Sequence, residues 1–317
     1  MEPFPFSTST SMTTNEKPAP GLRVGLIGLG LMGRGMGLSL LRAGHSLGIA
    51  AHRKRDVADE LVAGGAWEAP DAASLAIACD VLVLCLPSLA ATEQVLFGDG
   101  GVAQGAAQRA TSGLLVVECS TLMPAAAVDF DRRLALASVA FVDAPVTRGP
   151  REAVAGTLNA LLGGRPGHAA RASEVLSAFC EKIFRFDAPG QGYAAKLVSN
   201  FLAFSNLAAV AEGMATAGKA GLDMGVLMQA LAVSGAQSRV LDGLAPVIAG
   251  TGESRSIVTI GTAHKDVGYY LDFARALGSD GAVAACVESQ YAEVVSAGFG
   301  DELTPKYLRC RTKGISA

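Results

Sequence analysis

The chain has 317 residues, a formal net charge of -3, and apolar residues at half of its positions. That length exceeds one ordinary hydrophobic core and points to two domains with a cleft between them, while the lack of a basic field argues against nucleic acid as a partner. Lys196 and Glu212 interrupt the longest apolar stretch, so no uncharged run reaches bilayer length, and the expectation is a soluble chain with no membrane partner.

Residues 1–20 are rich in Ser, Thr and Pro, carry Glu2 and Glu16, and contain no arginine and no apolar core. They match neither a secretory nor a transit signal and read as a disordered tail, with the cytoplasm as the expected compartment. From Leu22 onward, short β-branched or Leu-rich runs alternate with longer amphipathic stretches, the pattern of repeated βαβ units around a parallel sheet. The predicted strands are Arg23–Ile27, Leu47–Ala51, Val81–Leu86, Leu114–Glu118, Ala140–Asp143, Leu158–Leu162 and Lys182–Phe186. Helices are predicted over Leu31–Arg42, Arg55–Ala63 and Pro124–Leu136, each set off by Gly or Pro.

Between the first strand and the first helix stands GLGLMG, residues 28–33. A glycine-rich turn alone is weak, but a strand before it and a helix after it make it a dinucleotide fingerprint. Gly28 permits the tight turn, Gly30 lets the backbone approach a pyrophosphate, and Gly33 lets the helix lie against the strand. The anion then meets the positive end of the helix, beside Leu29, Leu31 and Met32. About 20 residues further on, an NAD-selective site carries an acid. This chain has His52, Arg53, Lys54 and Arg55 there, which favours NADP over NAD, with Arg53 as the phosphate ligand. The alternative is a solvated basic turn before the next helix.

After Asp187 the strand-like runs give way to Ala-rich, helix-forming sequence. The boundary is therefore set there, giving a dinucleotide-binding domain over 21–188 and a helical domain over 189–317. Tyr193 to Lys219, apolar on nearly all sides, should be a long buried helix joining the two. The six cysteines show no CxxC spacing and read as small hydrophobes; His45, His52, His168 and His264 lack ligand spacing, so no metal is expected.

Several motifs in order resemble the β-hydroxyacid dehydrogenase family, which includes 3-hydroxyisobutyrate dehydrogenases and tartronate semialdehyde reductases. They are GLIGLGLMG at 25–33, CLPS at 85–88, ECSTLMP at 118–124, DAPVTRG at 143–149, GTLNALLGG at 156–164, GQGYAAKLVSN at 190–200, and KD at 265–266. The resemblance spans nearly everything after the tail. It implies a Rossmann-like N-terminal domain, an all-α C-terminal domain joined by a long interdomain helix, and a homodimer or homotetramer. It also implies that Leu86 and Pro87 line the nicotinamide, with Thr121 and Lys265 beside the cofactor. Ser120 and the loop of Thr147, Arg148 and Gly149 would bind substrate, Lys196 would be the catalytic lysine, and Asn200 its companion. The related 6-phosphogluconate dehydrogenases carry a much larger helical domain than this chain can hold.

Hydride transfer to a carbonyl requires one positioned acid/base at its oxygen. Lys196 and Asn200, four residues apart, fall on one helix face, whereas Glu212 falls on nearly the opposite one and reads as a structural partner. Among Ala194, Ala195, Leu197 and Val198 the lysine is desolvated, which brings its proton affinity toward working pH. By pattern alone a lysine reaching out to solvent is as good a reading; the GxGxxxKxxxN context favours catalysis. Imine reductases share the architecture but usually replace the lysine, and a silent cofactor-binding module would lose it. Two positions depart from the family: Glu118 stands where aspartate is usual, and Arg148 replaces a glycine. An arginine there suggests a compact or strongly anionic substrate bearing a carboxylate, sulfonate or phosphate, unless it turns outward or pairs with a carboxylate such as Glu152.

Overall fold

The computed structural model describes residues 21–51, 55–252 and 258–313. The tail at 1–20 and the basic residues His52, Arg53 and Lys54 lie outside them.

The N-terminal part runs β1 (Arg23–Ile27), α1 (Leu31–Arg42), β2 (Ser46–Ala50), α2 (Arg55–Ala63), β3 (Trp67–Glu68), α3 (Ala72–Ala78), β4 (Val81–Leu84), α4 (Leu89–Phe97), α5 (Val102–Ala106), β5 (Leu115–Glu118), α6 (Pro124–Ala135) and β6 (Ala140–Asp143). It continues through β7 (Val146–Thr147), α7 (Pro150–Ala155), β8 (Leu158–Gly163), α8 (Pro166–Leu176) and β9 (Cys180–Phe186). The sheet order is β3-β2-β1-β4-β5-β6-β8-β7, with β9 paired to β8. Strands β1 to β6 are mutually parallel, in register at Ile27 with Leu84 and at Glu118 with Asp143; β8 runs antiparallel to β6 and parallel to β9. Helices cover both faces, so the strands read as continuous apolar runs: VLVL in β4 is wholly buried. Its alternation still sorts the side chains, Val81 and Val83 joining one core and Leu82 and Leu84 the other.

The helical part comprises α9 (Gln191–Lys219), α10 (Met224–Ala232), α11 (Arg239–Ile248), α12 (Ile260–Ala276), α13 (Ala282–Val294), a π-turn at Val295–Phe299 and α14 (Thr304–Lys313). Its core gathers Phe204, Ala211, Ile260, Tyr291 and Tyr307. α9 belongs to both halves, because Tyr193 in its first turn is buried in a core of the sheet while Phe204 to Met214 lie in the helical core. Among the described residues α9 is the one helix long and apolar enough to cross a membrane by length and composition. It packs against β8, α12 and α14, as a connecting helix must.

Candidate active site

In a doubly wound sheet, ligands settle beyond the carboxyl ends of the strands where the order reverses, here between β1 and β4. The glycine turn lies at that point. A Cβ on Gly28 would come within 2.1 Å of the Cys85 carbonyl, and one on Gly33 within 1.8 Å of the Gly28 carbonyl, so both glycines are dictated by backbone packing. Gly30 is different: nothing lies within 4 Å of a Cβ added there. It is the N-cap of α1, without a side-chain cap, leaving the first-turn amides to an outside acceptor. The space and the free amides fit a pyrophosphate. Leu31 projects into solvent at 70% exposure and Met32 is half-buried, whereas the Leu29 side chain is core and can offer a ligand only its backbone. Arg55 is engaged with Glu68 and Asp59, at 2.5 and 2.9 Å.

The loops after β4 and β5 close the next wall. The Leu86 amide donates to Ser120 Oγ at 2.7 Å, while the Ser120 hydroxyl donates to the buried Glu118 carboxylate. Pro87 is exposed beside them and Thr121 half-buried. Thr121 is also where the helical part reaches across, since Lys265 Nζ on α12 donates to its carbonyl at 3.3 Å. Lys265 further pairs with the buried Asp266 carboxylate at 2.9 Å, whose other oxygen accepts from Asn200 Nδ2 at 2.7 Å.

Lys196 stands one helical turn before Asn200. Its ammonium has no hydrogen bond or ion pair among the described residues. Burial lowers its proton affinity, the Asp266 charge opposes that fall and Lys265 adds to it, leaving a pKa below the ordinary lysine value. The start of its helix is fixed from two sides. The Asp143 carboxylate accepts the amides of Gly190 and Tyr193, both at 2.8 Å, and a Cβ on Gly192 would sit 2.3 Å from the Leu161 carbonyl. The structure thus brings together Gly28, Leu86, Ser120, Thr121, Lys265 and Asn200 with Lys196, along one wall from the glycine turn to α9.

Three of the expected substrate ligands have their polar groups engaged within the protein. A carboxylate ligand must donate a proton, and the single proton of the Ser120 hydroxyl is given to Glu118. The Gly149 amide is likewise taken, at 3.0 Å, by Glu152 in the first turn of α7. The Arg148 guanidinium pairs with Glu181 of β9 at 2.6 Å and donates to the Thr157 carbonyl, in line with the alternative of a pairing with a carboxylate, here Glu181 and not Glu152. Its backbone is left-handed, at φ 75°, a conformation that glycine adopts without strain. Thr147 is half-buried and accepts from Asn159 at 3.3 Å. Among the described residues no group of His, Cys, Asp and Glu is arranged to hold a metal. Asp266 was legible only as the second letter of the KD pair, and nothing in the pattern marked Tyr193 as a partner for Glu118.

Comparison with known proteins accords with this geometry. Residues 23–186 match the family described as the NAD-binding domain of 6-phosphogluconate dehydrogenase, and residues 190–309 that described as the NAD-binding domain of NADP-dependent 3-hydroxyisobutyrate dehydrogenase. An L-threonate dehydrogenase of Cupriavidus necator is 31% identical over 280 residues, covering 88% of this chain and 92% of that protein. A 2-hydroxy-3-oxopropionate reductase of Escherichia coli (strain K12) is 31% identical over 221 residues, 70% of this chain and 74% of its own. The crystal structure of a 3-hydroxyisobutyrate dehydrogenase from Salmonella typhimurium superposes with a TM-score of 0.78 at 29% identity, covering 91% of this chain and 99% of the other. With the fingerprint at the switch point, a lysine at the domain junction and family matches over both halves, the chain belongs to the β-hydroxyacid dehydrogenases, NAD(P)-dependent oxidoreductases acting on the CH–OH group of small hydroxy acids.

Proposed function

We propose that this chain interconverts a small hydroxy acid bearing a carboxylate and its semialdehyde or keto form, with Lys196 handling the proton. When bound, the nicotinamide supplies or accepts the hydride. Lys196 holds a proton at Nζ for the oxygen of a reduced carbonyl, and as the free amine takes one from an alcohol in the reverse direction. Asn200 has its amide nitrogen committed to Asp266, so its carbonyl oxygen is left to accept from the substrate hydroxyl. Thr147 is the polar side chain of the substrate loop left to meet the acid group. With Arg148 paired to Glu181, no charge in that loop selects a sulfonate or phosphate over a carboxylate. The cofactor reading favours NADP, on the basic cluster at 52–55; Arg53, its phosphate ligand, lies outside the described residues.

The observation that carries this reading is the unpartnered Lys196 ammonium beside the Asn200–Asp266–Lys265 network that reaches the Thr121 loop. An imine reductase is the rival of the same architecture, and the lysine argues against it. The test follows NADPH absorbance over small carboxylate semialdehydes and cyclic imines. Turnover of semialdehydes is expected, with Lys196→Ala lowering kcat by about 10²- to 10⁴-fold while NADPH affinity stays within about twofold. Turnover of imines alone would select the rival, and cofactor binding without turnover a silent module.

The assembly is proposed to be a homodimer in the cytoplasm, with a second copy covering the α9–α10 face. There a groove of about 610 Å³ is lined by Met214, Leu222, Leu227 and Leu231, with Glu212 at its edge. It is remote from the Lys196 turn and suits a partner better than a substrate.

A further inference from the structure

Tyr193, three residues before Lys196, is fully buried. Its amide is held by Asp143 at the end of β6, and its hydroxyl donates to Glu118 at the end of β5. Glu118, itself fully buried, also accepts from the Ser120 hydroxyl and from the Ser120 amide at 3.1 Å. Ser120 Oγ in turn accepts the Leu86 amide. An unbroken line of hydrogen bonds therefore runs from the cofactor wall, through the Ser120, Glu118 and Tyr193 side chains, to the turn of α9 that carries the lysine. Packing alone does not require it, since a phenylalanine fills nearly the same volume as a tyrosine. Nor would the aspartate usual at position 118 serve, because one methylene less draws the carboxylate back from the phenol.

We propose that Tyr193 and Glu118 are positioning residues for the reaction: through Ser120 they fix the Lys196 turn of α9 relative to the Leu86 wall of the cofactor cleft. The inference rests on the reading of Lys196 given above. It also predicts which protonation state works. The titratable groups facing Glu118 are Asp143 on β6, Cys85 and Cys119 in the adjoining strand ends, and Tyr193 itself. Burial pushes the Glu118 carboxyl up to about 7, and the hydrogen bonds from Ser120 and Tyr193 oppose that rise. As a carboxylate Glu118 accepts all three donors; once protonated it must turn its own O–H toward one of the two hydroxyls, which then accepts, so that link reverses and the charge that strengthens the others is lost. The line is thus charge-assisted above that pH and weaker below it. In the reduction direction this places an acid limb on kcat near pH 7, opposite in sense to the alkaline limb of Lys196, whose ammonium is lost as pH rises.

The test is a set of kcat–pH profiles for semialdehyde reduction by the wild type, Tyr193→Phe, Glu118→Gln and the double variant, with NADPH affinity and melting temperature alongside. Tyr193→Phe removes a donor that favours the carboxylate, so its acid limb should move upward by about one pH unit, a tenfold change in proton affinity, with kcat falling more than KM changes. Glu118→Gln should abolish the limb, and adding Tyr193→Phe to it should alter kcat by less than about twofold. An acid limb unmoved in Tyr193→Phe, or losses that add in the double variant, would overturn the proposal. Should Glu118→Gln fail to fold, the limb of Tyr193→Phe decides alone. Failure of the Lys196 reading would show elsewhere, as an alkaline limb and a kcat that survive Lys196→Ala.

Discussion

Burial and the Asp266 charge pull the Lys196 ammonium in opposite directions, and under the proposed role of Lys196 their balance would place the alkaline limb of turnover. Asp266→Asn keeps the shape of the side chain and removes the charge that favours the ammonium, so the lysine should lose its proton at lower pH. The alkaline limb of reductive kcat should therefore shift downward, by about one pH unit for a neighbouring charge, in a profile measured beside the wild type. An unmoved or raised limb would show that Asp266 does not act on Lys196. At this scale the sequence is informative about placement along a motif and silent about side-chain orientation. Lys196 and Asn200 share a face because the helix period demands it. Arg148 was read as a substrate-facing cation because a glycine position had gained a charge. The guanidinium pairs with Glu181, and no local pattern reveals a partner on β9.

The elements that were legible are those with a strong period and firm stops. β1, α1, α2 and β6 lie where the sequence placed them, because apolar strands ending in Gly and helices capped by Gly or Pro leave little choice. The pieces missed, β3 at Trp67–Glu68 and β7 at Val146–Thr147, are two residues long and exist only because a neighbouring strand offers an edge. The turn between β1 and α1 yields a prediction that separates folding from binding. Gly33→Ala drives a methyl into the Gly28 carbonyl and should cost about 1–3 kcal/mol of stability, seen as a lower melting temperature. Gly30→Ala meets open space on backbone that alanine adopts freely, at φ -74° and ψ -171°. It should leave melting almost unchanged and weaken NADPH binding by about tenfold or more, because the methyl stands where the pyrophosphate approaches. Equal loss of melting temperature in both variants would mean that Gly30 is a packing residue after all.

At the scale of the whole molecule, α9 ties the sheet to the helical half and also leaves one face of that half uncovered. α10 follows α9 directly, and none of its nine residues is buried, although MGVLMQALA is almost wholly apolar. Leu222, Val226 and Val233 are 52, 65 and 89% exposed. Apolar side chains exposed beside an open groove are costly in water, and the proposed second copy would cover both at once. Sedimentation equilibrium should therefore give twice the 32.2 kDa chain mass. Val226→Asp with Val233→Asp should shift that equilibrium toward the single chain, since the proposed contact would bury two unpaired charges from each copy. Both positions are exposed in the single chain, so the fold itself should tolerate the change, with melting of the dilute variant within a few degrees of wild type measured at the same concentration. A wild type that sediments as a monomer at micromolar concentration, or a double variant still dimeric, would place the contact on another face and leave α10 without its proposed cover.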